Sequence, residues 1–232
     1  MNKLSEHKDI YLSSSLREIV FGMEDGMVST LGAITGIAVG SQDHFTILLA
    51  GTSIIAVEAI SMGLGSYLSN QSGREVDLKR LAEEKKELIE FPQEEKAELL
   101  TMLLRDGWSQ SLAKQMASEA DKNKDLMLKE MAYRELKITT TTTANSFRLG
   151  LYMFFSYIIG GAIPLMAYFA LPAPLAMRIS IPVTLAGLFT LGIVSSRYTK
   201  TSWLLSGLRV LAIGGTALII GLLIGSIASL LR

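Results

Sequence analysis

Residues Leu149 to Leu171 read LGLYMFFSYIIGGAIPLMAYFAL, an apolar run without a single charged side chain. A helix needs about 20 such residues to cross ~30 Å of hydrocarbon, so this stretch is sized for a bilayer. Four more stretches resemble it: Ile19–Gly40, Phe45–Ser69, Ile179–Ser196 and Val210–Leu231. Buried helices of a soluble core are the alternative. Three of the five stretches, however, carry no charge from end to end, and a helix is the element that satisfies its own backbone in lipid. The sequence therefore predicts an all-α membrane protein with five transmembrane helices.

Composition agrees. Of 232 residues 49% are hydrophobic and the mean hydropathy is +0.36, too apolar for an ordinary soluble domain. The net charge of zero hides a segregation: residues 70–138 hold 13 of the 22 Lys and Arg and 15 of the 22 Asp and Glu. Three regions follow. Residues 1–69 carry an N-terminal segment and the first two spans, 70–138 form a carboxylate-rich helical insert, and 139–232 carry spans three to five.

Basic residues set the expected orientation. Lys3, Lys8 and Arg17 precede the first span, and Arg197, Lys200 and Arg209 lie between the fourth and fifth, whereas the Ser41–His44 link has none. The N-terminus and the 70–138 insert are thus expected in the cytoplasm, and the C-terminus across the membrane. Glu6 and Asp9 make the start unlike a cleavable signal peptide, and the compact chain suits a prokaryotic plasma membrane. The Asn70-Gln71-Ser72 sequon would then be out of reach of glycosylation.

With no cysteine, disulfides, thiolate zinc sites and iron–sulfur clusters are excluded. His7 and His44, the two histidines, stand in no ligand-like cluster. A metal site here is built from oxygen, with methionine sulfur as the soft supplement. There is no basic patch with interleaved aromatics, so nucleic acid is not an expected partner.

Two acids stand inside the predicted spans, where a charge costs ~2.5–3.5 kcal/mol on insertion scales. Asp25 lies about two turns into the first span, and Glu58 near the middle of the second. Met62 follows Glu58 at i+4 on the same face. A carboxylate stacked over a thioether can form a coordination ladder for Fe2+ or Mn2+; the alternative holds each acid neutral and hydrogen-bonded to a neighbouring helix. Glu24 points about 100° away from Asp25 around the helix, toward the interface. Glycines at spacing four (Gly22 and Gly26; Gly32, Gly36 and Gly40; Gly221 and Gly225) predict close helix crossings in a tight bundle or a dimer.

The insert reads as helices over Arg74–Glu90, Gln93–Arg105, a short stretch capped by Ser109, and Asp125–Ile138. Phe91-Pro92 and Asp106-Gly107 are the breaks. Glu84 and Glu87 are i,i+3 partners on the first helix, Glu95 and Glu98 on the second. A hairpin at Phe91-Pro92 could bring the four together as a metal site. Lys85, Lys86 and Lys96 are interleaved, so spacing alone leaves a solvated charged face equally open. The Thr139–Thr143 run reads as a polar entry to the third span.

Several motifs resemble one family over the whole chain. Arg17 to Thr30 (REIVFGMEDGMVST) is similar to the opening helix of the vacuolar iron transporters, with its Asp-Gly-Leu-Val-Ser-Thr signature. Ser61 to Ser69 (SMGLGSYLS) is similar to that family's Ser-Met-Ala-x-Gly-Glu-Tyr-x-Ser, and Gly160 to Leu165 (GGAIPL) to its Gly-Ala-x-x-Pro-Leu. The resemblance implies a homodimer of five-helix protomers, a pathway at the two-fold axis, and export of Fe2+, and Mn2+ as well, from the cytoplasm in exchange for protons. It carries pathway roles onto Asp25 and Met62, and cytoplasmic metal ligation onto Glu84, Glu87, Glu95, Glu98, Met131 and Glu135. No catalytic residue and no prosthetic group are implied.

Two departures stand out. Ser66 replaces the motif's Glu, while Glu58 occupies a usually small position two turns earlier; Ala132 replaces a second methionine in the insert. An acid moved deeper would keep proton coupling while changing ion preference, with Glu58 as the proton-responsive group. Three rival readings follow from the same residues: a membrane-tethered di-iron oxidase, a passive divalent-cation channel, and a metal-binding or docking module without transport. The oxidase lacks the Glu-x-x-His pairs that ferritin-like sites use, since no histidine falls within 70–138.

Overall fold

A computed structural model of the chain describes residues 3–41, 43–138 and 145–231, with side chains from Ser14 onward except that of Thr199. The Thr139–Thr143 run lies outside the described residues. Those described form eight α-helices: α1 (Lys3–Ser41), α2 (His44–Glu90), α3 (Pro92–Arg105), α4 (Gln110–Asp121), α5 (Lys124–Arg134), α6 (Ser146–Ala170), α7 (Ala173–Thr199) and α8 (Trp203–Leu230). They fall into two compact units, Met1–Leu68 with Ala144–Arg232, and Ser69–Thr143.

Four helices among the described residues are long and apolar enough to cross a membrane: α2, α6, α7 as far as Tyr198, and α8. The chain is an integral membrane protein. Length and composition do not carry a fifth crossing, because Glu24 and Asp25 lower the hydropathy of α1. In the first unit α1 packs on α6, α7 and α8. Its glycines make this possible. A Cβ on Gly36 would come within 2.8 Å of the Gly221 backbone oxygen, and one on Gly22 within 2.9 Å of that of Met153. The spacing-four glycines thus serve crossings inside this chain. Pro164, within α6, presents its carbonyl to the Ser180 hydroxyl of α7 at 2.6 Å.

The second unit has its own core, built from Leu88, Leu99, Met102, Leu103, Ala113, Ala117, Ala120, Met127 and Met131. Pro92 opens α3 at the expected break, and Gly107, with φ +95°, turns the chain after Arg105. Ser109 caps α4 by accepting from Leu112 N–H. Lys96 is held by Asp121 at 2.7 Å and Arg134 by Glu130 at 2.9 Å and by Asp106.

Helices α1, α7 and α8 begin ahead of the predicted spans, at Lys3, Ala173 and Trp203, and two boundaries of the insert differ from the sequence reading as well. The second span and the first insert helix are one helix, since Asn70-Gln71-Ser72-Gly73 contains no proline and a lone glycine costs only ~1 kcal/mol. The last insert helix stops at Arg134 rather than Ile138. Leu136 N–H bonds back to the Met131 carbonyl, and Lys137 is left-handed at φ +55°.

Candidate functional site

In the second unit each acid of interest sits one turn from a core residue: Glu84 before Leu88 on α2, Glu95 before Leu99 on α3, and Glu135, at the end of α5, after Met131. The apolar faces thus continue into a carboxylate cluster. One oxygen from each of Glu84, Glu95 and Glu135 lies within 4.8 Å of the others. Glu84 is 2% exposed and Glu95 7%, while Glu135, just past the end of α5, is exposed. Oε1 of Glu84 and Oε2 of Glu95 are buried without a hydrogen-bond partner. Such atoms are costly unless a proton or cation meets them.

Burial pushes the Glu84 carboxyl up to about 8, helped by the charges of Glu135, Glu95 and Glu87. Burial also raises Glu95, together with Glu98, Glu135 and Glu87, and it raises Glu135, with Glu98 beside it. Glu87 and Glu98 are exposed and act on this cluster by charge. Met131 is wholly buried in the apolar core. The set is a hard, all-oxygen, anionic cluster suited to a divalent cation.

The first unit holds the other sequence-predicted residues. Asp25 and Glu58 are partly buried and close enough for their charges to act on one another. Met62 is partly buried one turn further along α2. Glu58 accepts a hydrogen bond from the Tyr157 hydroxyl of α6, and that hydroxyl also pairs with Ser29 Oγ of α1 at 2.5 Å. A contact to a neighbouring helix is what the structural alternative expects of Glu58. In this contact the phenol donates and the Glu58 oxygen accepts.

Two residues escaped the sequence reading. Tyr157 sits in a predicted span, and no motif or spacing marks it out. Glu18 fell just outside the first span, yet it is only 5% exposed, beside the largely exposed Arg17 at 3.2 Å, and accepts from Ser66 Oγ at 2.7 Å. Its signal was available: Glu18 precedes Asp25 by seven residues, the same helical face. Ser66, the departure from the family motif, is therefore paired with an acid supplied by α1.

The model of the VIT family matches residues 16–226. The chain is 30% identical to "Vacuolar iron transporter 1" of Tulipa gesneriana over 219 residues, covering 93% of this chain and 89% of that protein. It is 26% identical to "Vacuolar iron transporter 1" of Arabidopsis thaliana, covering 92% and 87%, and 25% identical to "Vacuolar iron transporter" of Plasmodium falciparum, covering 91% and 81%. These relatives are named as transporters, not enzymes. Matched along nearly all of its length, the chain belongs to the VIT family.

Proposed function

We propose that this chain carries a divalent transition metal, Fe2+ with Mn2+ as a second substrate, out of the cytoplasm in exchange for protons. The observation that carries the reading is the Glu84–Glu95–Glu135 cluster, with buried oxygens left for a cation. In this reading the 70–138 insert is a cytoplasmic metal-binding domain, with Glu87, Glu98 and Met131 completing its ligand supply. Asp25 and Met62 bind the ion in the membrane, and Glu58 responds to protons. The working assembly is a homodimer in a prokaryotic plasma membrane.

The same reading has α1 as a fifth crossing. Glu18 of α1 pairs with Ser66 near one end of the apolar part of α2, while at the other end Ser41 is linked to His44 by two residues. Residues 18–41 therefore run back antiparallel along the stretch of α2 that crosses. At 1.5 Å per residue they extend about 35 Å, enough for the hydrocarbon layer. Of the two acids that depress the hydropathy of α1, Asp25 is the one this reading assigns to the ion.

Uptake into proteoliposomes under a pH gradient, compared for Fe2+, Mn2+, Zn2+ and Ca2+, tests the proposal. Gradient-dependent Fe2+ and Mn2+ flux that Asp25→Asn abolishes is the expected result. Flux indifferent to the proton gradient would make the protein a channel, and binding without flux would make it a metal-binding protein.

A further inference from the structure

We propose that Tyr157 is a positioning residue for Glu58, setting where that carboxylate stands relative to Asp25 through a hydroxyl chain anchored on Ser29. The inference rests on the reading that Asp25 and Glu58 serve transport. Tyr157 is wholly buried at 0% exposure, and its backbone is fixed against α1, where a Cβ on Gly26 would overlap the Tyr157 carbonyl. A phenol has one proton. Because it donates to Glu58, its oxygen can only accept from Ser29. The chain thus has one direction, Ser29 to Tyr157 to Glu58, and ties α1, α6 and α2 together.

The groups facing Glu58 are Tyr157 from α6 and Asp25 from α1, and the charge of Asp25 also reaches Tyr157. A glutamate side chain has three rotatable bonds. Released, Glu58 would close on a cation held by Asp25, and the ion would meet two carboxylates instead of one. Hydrogen-bonded to a fixed phenol, it is restrained from that movement, and the ion leaves more readily. Tyr157 therefore acts on the rate of release through Glu58 and touches neither ion nor water itself.

The test uses the full chain in proteoliposomes. Tyr157→Phe keeps the ring and removes the chain, and should lower both the KM for Mn2+ and the maximal rate by about tenfold, the scale of a hydrogen bond to a charged group. Ser29→Ala, which removes only the anchor, should move both in the same direction by less. In a Glu58→Gln background Tyr157→Phe should change neither. Equal effects in both backgrounds would mean a merely structural role and overturn the proposal. Infrared difference spectra in detergent read the contact without transport. The carboxyl stretch lost in Glu58→Gln should shift in Tyr157→Phe, and an unmoved band overturns the proposal even if the wild-type chain carries metal. Should the wild type carry none, the functional reading fails, and a shifted band still supports the positioning while an unmoved one removes it.

Discussion

Among single residues, Glu84 separates what sequence could tell from what it could not. The i,i+3 pairs Glu84/Glu87 and Glu95/Glu98 marked four acids equally. Ranking them required knowing that Leu88 and Leu99 face the core, which turns Glu84 and Glu95 inward and leaves Glu87 and Glu98 at the rim. The buried acid has a measurable consequence. Its carboxyl titrates near 8 in the fold against an ordinary 4.5, so the folded chain keeps a proton that the unfolded chain releases. Stability contributed by this group therefore falls as pH climbs from about 4.5 to about 8 and is level beyond. Thermal unfolding of the metal-free chain in detergent should show that decline. Glu84→Gln should flatten it, and Mn2+ at pH ~8 should restore the lost stability; a slope unchanged by the substitution would refute the assignment. Tyr157 was not legible because its role depends on a partner 128 positions away, Ser29; for Glu18 the seven-residue spacing to Asp25 was in the sequence, but its partner Ser66, 48 positions on, was not.

The helices themselves were legible where apolar runs, proline and capping residues spoke plainly, as at Pro92 and Ser109. The continuity of α2 was not, since a change from apolar to charged residues marks a change of solvent and not a break in the backbone. Spacing-four glycines announced close crossings without naming the partner helix, and the structure gives it as α8 for Gly36 and α6 for Gly22. Gly36→Ala would force its methyl against the Gly221 carbonyl, a backbone atom that cannot swing aside. A loss of about 1–3 kcal/mol is expected, read as a lower melting temperature in detergent. Gly65→Ala is the control, because nothing lies within 4 Å of the new methyl, and the better helix former should leave the melt unchanged or raise it by the equivalent of ~1 kcal/mol. Equal destabilisation at both positions would mean that the crossing with α8 does not matter.

Taken as a whole, the molecule offers a clean way to establish its topology, since it has no cysteine of its own. Single cysteines introduced as Ser15→Cys, Lys114→Cys and Leu231→Cys can be labelled by an impermeant maleimide in sealed vesicles. If α1 crosses, positions 15 and 114 label from one side and 231 from the other. Labelling of 15 and 114 from opposite sides would end the five-crossing reading. The acidic unit has a further consequence for any count of protons against metal. Near neutral pH Glu84 holds a proton in the absence of metal, and a cation must displace it to reach the buried oxygen. The unit then behaves like a bead of weak-acid exchange resin, discharging hydrogen ions into the compartment from which it loads. In weakly buffered detergent solution at pH ~7, adding Mn2+ should acidify the medium, and Glu84→Gln should reduce the acidification. Stoichiometries measured on the intact transporter would therefore mix this exchange with whatever crosses the bilayer, unless the bead is first saturated.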